Sequence, residues 1–371
     1  GTCRSGSRGW AGFVPEPGDL SVRFALVTQW ARPMNDFPRP LRYGLAALLP
    51  LWAFAAVVWV YAPIAGPKPL HWAAAVVIVL AGLAAPLLRD PRSAFAAALG
   101  LTALGLAAFS LISPELERAW RPEQARLPQA TVVGDELRVV EARAFRWAAD
   151  ESFEPAWFDA QYDLSTLQGL DFLVSPFGGV PGIAHTMFSF RFADGRALVV
   201  SPEVRKEVGE AYSAMGGLFR NYELMYVLAD ERDALHLRTH VWGDEVFAHP
   251  VDITPATARR LLEHIAARTQ QLHERPDFYN TVTASCATTL ASHVEAIADP
   301  PIHLDWRVLL PGFSDEMAFE LGLLGGDSIE ALRAQNALSP HIAAAATRVD
   351  FSRAIRGLPP APRPPGHRSA E

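Results

Sequence analysis

Charge is distributed so unevenly along this 371-residue chain that a single soluble fold does not explain all of it. Residues 43–67, 69–88 and 93–114 form three almost uncharged apolar stretches separated by short polar links. Each matches the roughly 20 residues that a helix needs to cross ~30 Å of hydrocarbon. The expectation is a three-helix transmembrane anchor over 43–114. A cleavable signal peptide, a single shorter run with a small-residue cleavage site, fits poorly. Arg23, Arg32, Arg39 and Arg42 precede the first stretch, and Arg89 and Arg92 sit in the second link, against only Lys68 in the first. Positive-inside counting puts residues 1–42 in the cytoplasm and everything after about residue 115 outside, which in a bacterium is the periplasm. The segment charges agree: +3 over 1–42, +2 over 43–114 and −12 over 115–371. The chain begins with Gly, and Met34 stands just ahead of the first stretch. Residues 1–33 are therefore read either as native or as an addition.

The net charge of −7 makes nucleic acid a poor partner. With half the residues apolar, global disorder is excluded. Two cysteines, Cys3 and Cys286, exclude a disulfide-stapled scaffold. Residues 115–130 read as a proline-spaced linker and 131–355 as one exported domain, with a Pro-rich tail over 356–371. Within the domain, 131–147 alternate around Gly134-Asp135 as a hairpin. Thr186–Phe192 and Ala197–Ser201 form strands joined by a two-residue Asp194-Gly195 turn, and 237–252 read as further strand. Thr254-Pro255 opens a helix with the stripe Ala258, Leu261, Leu262, Ile265 and Leu272. Helices are also expected after Cys286 and near 314–324 and 327–338, the last with an Asp327…Glu330 capping box. Strands followed by helices without βαβ alternation indicate an α+β fold.

Cys286 is the candidate nucleophile. Ser285 is placed to cap a helix through Ala298, which puts Cys286 in a first turn where the dipole favours a thiolate and N–H groups can hold an oxyanion. A buried, inert cysteine is the alternative. Among the histidines, His71, His341 and His367 are set aside, and His264 and His273 read as solvated. His293 lies about 10 Å along the helix from Cys286. His185 follows the loop Gly178-Gly179-Val180-Pro181-Gly182 and precedes a strand, so it is the candidate base. His236 and His240 have i, i+4 spacing but fall in a segment read as strand, and His249 has no partner at metal-site spacing; neither a metal nor an organic cofactor is expected. Charged runs such as Arg205-Lys206-Glu207 and Asp230-Glu231-Arg232-Asp233 read as solvated faces.

Several pieces occur in a set order. They are Tyr162-Asp163-Leu164, Ala184-His185-Thr186, Ser201-x-Glu203-x-Arg205-Lys206-Glu207, Gly217-Leu218-Phe219-Arg220, Leu237-Arg238-Thr239, Phe278-Tyr279-Asn280-Thr281 and Cys286-x-Thr288-Thr289. With these, residues 131–355 resemble the Lnb-type periplasmic domain family associated with bacterial lipoprotein N-acyltransferases. The resemblance implies a circularly permuted papain-like (NlpC/P60-type) domain in which His185 is the general base and Cys286 the nucleophile. It implies acyl transfer from a membrane lipid ester to a lipoprotein N-terminus. The alternatives are a Cys–His peptidase or lipid-ester hydrolase, or a membrane-tethered module without catalysis. The family often carries two asparagines where this chain has Ala284 and Ser285, so an amide donor to the oxyanion is missing. For the third group, a two-residue turn at Asp194-Gly195 pairs positions summing to 389. That would point Glu203 away from His185 unless a bulge intervenes. Glu203 is thus expected only in a supporting role, with Ser285, Tyr279 and Asn280.

Overall fold

The computed structural model describes residues 48–84 and 92–359, which fall into two compact units. Cys3, Met34, the arginines of 1–42, Arg89 and residues 360–371 lie outside the described residues.

The first unit, up to Val60 and from Gly66 to Leu106, is helical: α1 (Leu49–Tyr61), α2 (Lys68–Ala84) and α3 (Arg92–Ser110) have 13, 17 and 19 residues, and Tyr61 and the last turn of α3 from Ala107 belong to the second unit. These are shorter than the stretches read from sequence. No helix among the described residues is long and apolar enough to cross a membrane. Pro63 and Pro67 follow α1, whose 13 described residues rise ~20 Å, and the first and second apolar stretches also include residues outside the described ones. Within the unit, Trp59 Nε1 donates to the Leu101 carbonyl (3.0 Å), while Leu70, Trp72, Leu80 and Leu83 of α2 stay exposed.

The second unit has the expected α+β character. Its main sheet has eight strands. They are β1 (Gln129–Val133), β2 (Glu136–Arg143), β5 (Trp157–Asp163), β6 (Leu167–Pro176), β7 (Ala184–Phe192), β8 (Ala197–Arg205), β9 (Glu223–Asp230) and β10 (Phe247–Pro250). The order is β1-β2-β9-β8-β7-β6-β10, with β5 also on β2; β3 (Arg146–Trp147) and β4 (Phe153–Glu154) form a separate pair. The Gly134-Asp135 hairpin is present, with Val133 opposite Glu136.

Strand alternation divides the core between two faces. Phe188, Phe190, Leu198, Val200 and Tyr226 point to one face, where α6 (Pro255–Glu274) and α7 (Cys286–Ile297) cover them with Leu261, Ile265 and Leu290. Met187, Val199, Met225 and Val227 point to the other, under Leu338, Ile342 and Phe351. The predicted α6 stripe is buried throughout.

Several expectations fail for local reasons. Residues 237–252 are not one strand. The Asp230 side chain accepts from the Asp233 N–H and starts a helix, α5 (Glu231–His236), which runs on as a π-helical turn Leu237–Val241; only β10 remains extended. The 230–233 charges are not a solvated face. Glu231 and Asp233 are buried, the first bonded to Arg356 and Ser189, the second to Arg143, Trp147 and the Phe145 N–H. Arg205 is buried too, donating to the Gln124 and Ala125 carbonyls, so part of the supposed linker straps the sheet. The late helices are α8 (Ser314–Glu320) and α9 (Ile329–Gln335), and α9 is capped by Ser328 rather than Asp327. Arg356, assigned to the tail by sequence, is clamped between Asp171 and Glu231.

Candidate active site

The site lies where β7 and β8 part. They pair only from Phe188–Arg191 to Ala197–Val200; β7 begins four residues earlier and β8 runs on to Arg205 along β9. Unpaired strand ends leave N–H groups free for other partners. The N-terminus of α7 meets β7 there. Ser285 caps it: its Oγ accepts from the Thr288 N–H (3.3 Å), and its own N–H donates to Thr288 Oγ1 (2.7 Å). Cys286 is thus the first helical residue, and it is a free thiol.

The sulfur is surrounded by donors. Burial pushes the thiol pKa up. The Thr186 N–H and hydroxyl, the Arg238 charge and the Ala287 N–H oppose this. The Thr186 hydroxyl is buried with no other hydrogen-bond partner, which leaves it for the sulfur or for an anion formed beside it.

His185 precedes Thr186, and its ring is fixed from the far side of the gap. Its Nε2 lies 2.7 Å from Ser201 Oγ, and Ser201 Oγ donates to Glu203 Oε1 at 2.9 Å. The serine proton is committed to the carboxylate, so the serine lone pair must accept from Nε2–H. That tautomer leaves Nδ1 bare, and Nδ1 makes no hydrogen bond among the described residues. Burial holds the His185 pKa down at about 3, with Arg238 pushing the same way and Glu203 resisting. The imidazole is therefore a neutral base at neutral pH. Burial works against the charge on Glu203, but His185, Arg238 and Arg143 keep its pKa below the ordinary value. Arg238, itself buried, is 3.7 Å from Glu203 and also acts on Cys286.

The orientation of Glu203 corrects the expected register. The hairpin loop has three residues, Ala193–Gly195: the Phe192 N–H bonds the Arg196 carbonyl and the Gly195 N–H bonds the Phe192 carbonyl, both at 3.0 Å. Gly195 takes φ +87°, a conformation open to glycine. Phe188 therefore sits opposite Val200 and Ser189 opposite Val199, one step from the two-residue register. That step turns Glu203 to the same side as His185, with their nearest atoms 3.8 Å apart.

Tyr279 and Asn280 act at one remove. Asn280 Oδ1 accepts from the Val282 and Thr283 N–H groups, and its backbone closes on Ala284, which shapes the loop leading into Cys286. Ser201, Thr186 and Arg238 were not singled out from sequence. The Ser201-x-Glu203 spacing, which in a strand puts both side chains on one face, was the available signal for Ser201. His236 and His240 stack on helical backbone (4.5 Å) rather than on a strand, and no metal-binding cluster exists among the described residues.

An apolar slot of about 330 Å³ shares with the site two residues that act on the thiol, Thr186 and Ala287. Thr186 and Ala287 line its near end, and Leu290, Ala291, Val294 and Ile297 carry it ~16 Å along α7. Close by, the Gly182 carbonyl accepts from the Gly312 N–H (2.9 Å), and Val180, Ile183, Trp306 and Leu310 stand exposed around this junction.

Residues 153–312 match the family model described as the Lnb N-terminal periplasmic domain. No curated protein and no solved structure matches the chain. The matched residues include His185, Glu203, Arg238 and Cys286, so this part of the chain is similar to the Lnb N-terminal periplasmic domain.

Proposed function

We propose that this domain is a thiol acyltransferase that moves a long acyl chain from a membrane lipid ester to the N-terminal amine of a bacterial lipoprotein. The observation that carries this reading is the apolar slot lined by Thr186 and Ala287, two residues whose N–H groups act on the Cys286 sulfur. A peptide-cleaving site needs polar partners for a backbone; a slot lined by leucine, valine and isoleucine suits a hydrocarbon chain. The exposed apolar residues Val180, Ile183, Trp306 and Leu310 add a surface compatible with lipid.

In this mechanism His185 Nδ1 takes the thiol proton as the Cys286 sulfur attacks the ester carbonyl. The Thr186 and Ala287 N–H groups receive the negative oxygen, filling the role of the absent asparagine amide. Collapse breaks the ester C–O bond, and the departing lyso-lipid oxygen takes the proton back from His185. The acceptor amine then attacks the thioester, gives a proton to His185 and releases the thiol. No metal or organic cofactor is needed for these steps.

The description of the matched family supports a periplasmic location, and the apolar first unit is proposed to hold the domain at the inner membrane. The exposed leucines and Trp72 of α2 support that part. Partition of the full chain into the soluble fraction after cell lysis would overturn it.

The central test expresses Cys286→Ala and His185→Ala in cells lacking other N-acyltransferases and weighs their lipoproteins. The expected outcome is no N-acylation with the first and a fall of ~10²–10⁴-fold with the second. Normal N-acylation by either variant would sink the assignment. Free fatty acid as the sole product of the wild type would make the enzyme a hydrolase.

A further inference from the structure

Helix α7 has a second flank. Opposite the apolar slot lies a polar pocket of about 810 Å³, bordered by the loop before Cys286 and by Thr289, Ser292 and His293 of α7. Arg220, His264, Arg268 and Asp277 complete its charged lining.

The charges there do not balance. Arg268 is paired with Asp277 at 2.7 Å. Arg220 is held by neutral groups: its Nη1 donates to the Phe109 and Ile112 carbonyls (3.0 and 3.1 Å), and its guanidinium lies over the Phe109 and Phe278 rings. Among the described residues no carboxylate lies within ion-pair reach of Arg220. It is a positioned and uncompensated cation.

A relay of three groups lies beside it. Tyr226 OH is 2.6 Å from His293 Nε2, and His293 Nδ1 is 2.8 Å from His264 Nδ1. One proton lies between the two Nδ1 atoms, because both cannot carry one at that distance. When Tyr226 donates to His293, His293 donates to His264, and His264 then holds its remaining proton on Nε2. Among the described residues that nitrogen has no partner, so it is a donor available to the pocket. The two guanidiniums, the His264 ring and the hydroxyls of α7 come from three separate elements and converge. This suits a tetrahedral anion better than a planar carboxylate, and a guanidinium fork matches phosphate oxygens in pairs.

We propose that this pocket is a binding site for a phosphate group, either free or as the headgroup phosphate of a phospholipid. The inference stands apart from the acyltransferase reading, because it requires nothing of Cys286 or His185.

The test uses full-length protein with ¹⁵N-labelled histidine and follows the His264 and His293 rings by NMR. Inorganic phosphate is titrated against chloride at matched ionic strength. A saturable ring shift with phosphate alone is expected, weakened about tenfold or more by Arg220→Gln, the loss of a charge-assisted hydrogen bond. Arg220 also anchors two carbonyls, so Arg268→Gln is run beside it and is expected to weaken binding too. No saturable shift by ~10 mM phosphate, well above a millimolar site, overturns the proposal. So does an equal response to chloride, or unchanged affinity in both variants. A short-chain phosphatidylglycerol below its micelle concentration separates the two sources. Displacement of phosphate by the lipid assigns the site to a headgroup, and binding of phosphate without response to the lipid assigns it to the free anion. The alkylation rate of Cys286, read in the same samples, reports separately on the thiol.

Discussion

Strands β7 and β8 are zipped for four residues and open beyond them, and the two halves have divided their duties. In the zipped half, Phe188, Phe190, Leu198 and Val200 are buried in the core and the backbone groups are spent on each other. In the open half, His185, Ser201 and Glu203 face one another across a gap, and the Thr186 N–H turns to the Cys286 sulfur. A ladder hydrogen bond stabilises; the same N–H released from the ladder can serve an anion. The site therefore depends on where pairing stops as much as on which residues are present.

If the division is real, the two halves fail differently. The largest effect is expected from Leu198→Ala in the zipped half, which should cost about 2–5 kcal/mol of stability as a buried leucine truncation. Chemical denaturation measures it, while iodoacetamide should label Cys286 in the folded fraction at the wild-type rate. A lost rate with intact stability would erase the distinction.

Glu203→Gln in the open half should do the reverse. It keeps the shape but removes the charge behind Ser201, and the Cys286 alkylation rate should fall about 10–100-fold with little movement of the denaturation midpoint. An unchanged rate would demote Glu203 to a bystander.

The pH profile sharpens the comparison further. A lone thiol loses reactivity tenfold per pH unit below its pKa, whereas a thiol that passes its proton to a neutral imidazole does not. Because His185 stays neutral down to about 3, Cys286 alkylation should be nearly flat between roughly pH 4 and pH 8. A tenfold slope through that range would show that His185 takes no part.

The smallest effect is on folding. Burial also holds the His293 pKa down, at about 4. Between the ordinary histidine value near 6.5 and these low values, the unfolded chain binds protons that the folded chain refuses. Stability therefore rises with pH across that window and is lost as pH falls. Thermal melts at a series of pH values measure it, and a melting temperature that stays level as pH falls would contradict the buried, neutral rings.

Much of the site was legible in the sequence because it rests on local chemistry. A serine before Cys286 with Thr288 three residues on is a capping pattern, and the α6 stripe follows helical periodicity. What was not legible depended on long-range pairing. Asp194-Gly195 reads as a two-residue turn, and only the observed ladder shows that Ala193 belongs to the loop as well. Glu231 and Asp233 read as solvated because their partners, Arg356 and Arg143, lie 125 and 90 residues away. His264 and His293 were dismissed separately, since nothing in a 29-residue spacing announces that the rings touch.

The loop Ala193–Gly195 lies at the closed end of the hairpin, away from the chemistry, yet it sets the phase of everything downstream on β8. Its length decides whether a carboxylate stands behind His185 or faces into the hydrocarbon core. Shortening it by one residue would rotate Ser201 and Glu203 out of the site without altering either of them. In this sense three residues far from His185 hold a veto over the arrangement of the site, and a chain could keep its histidine, its cysteine and its glutamate and still lose that arrangement through one deleted codon.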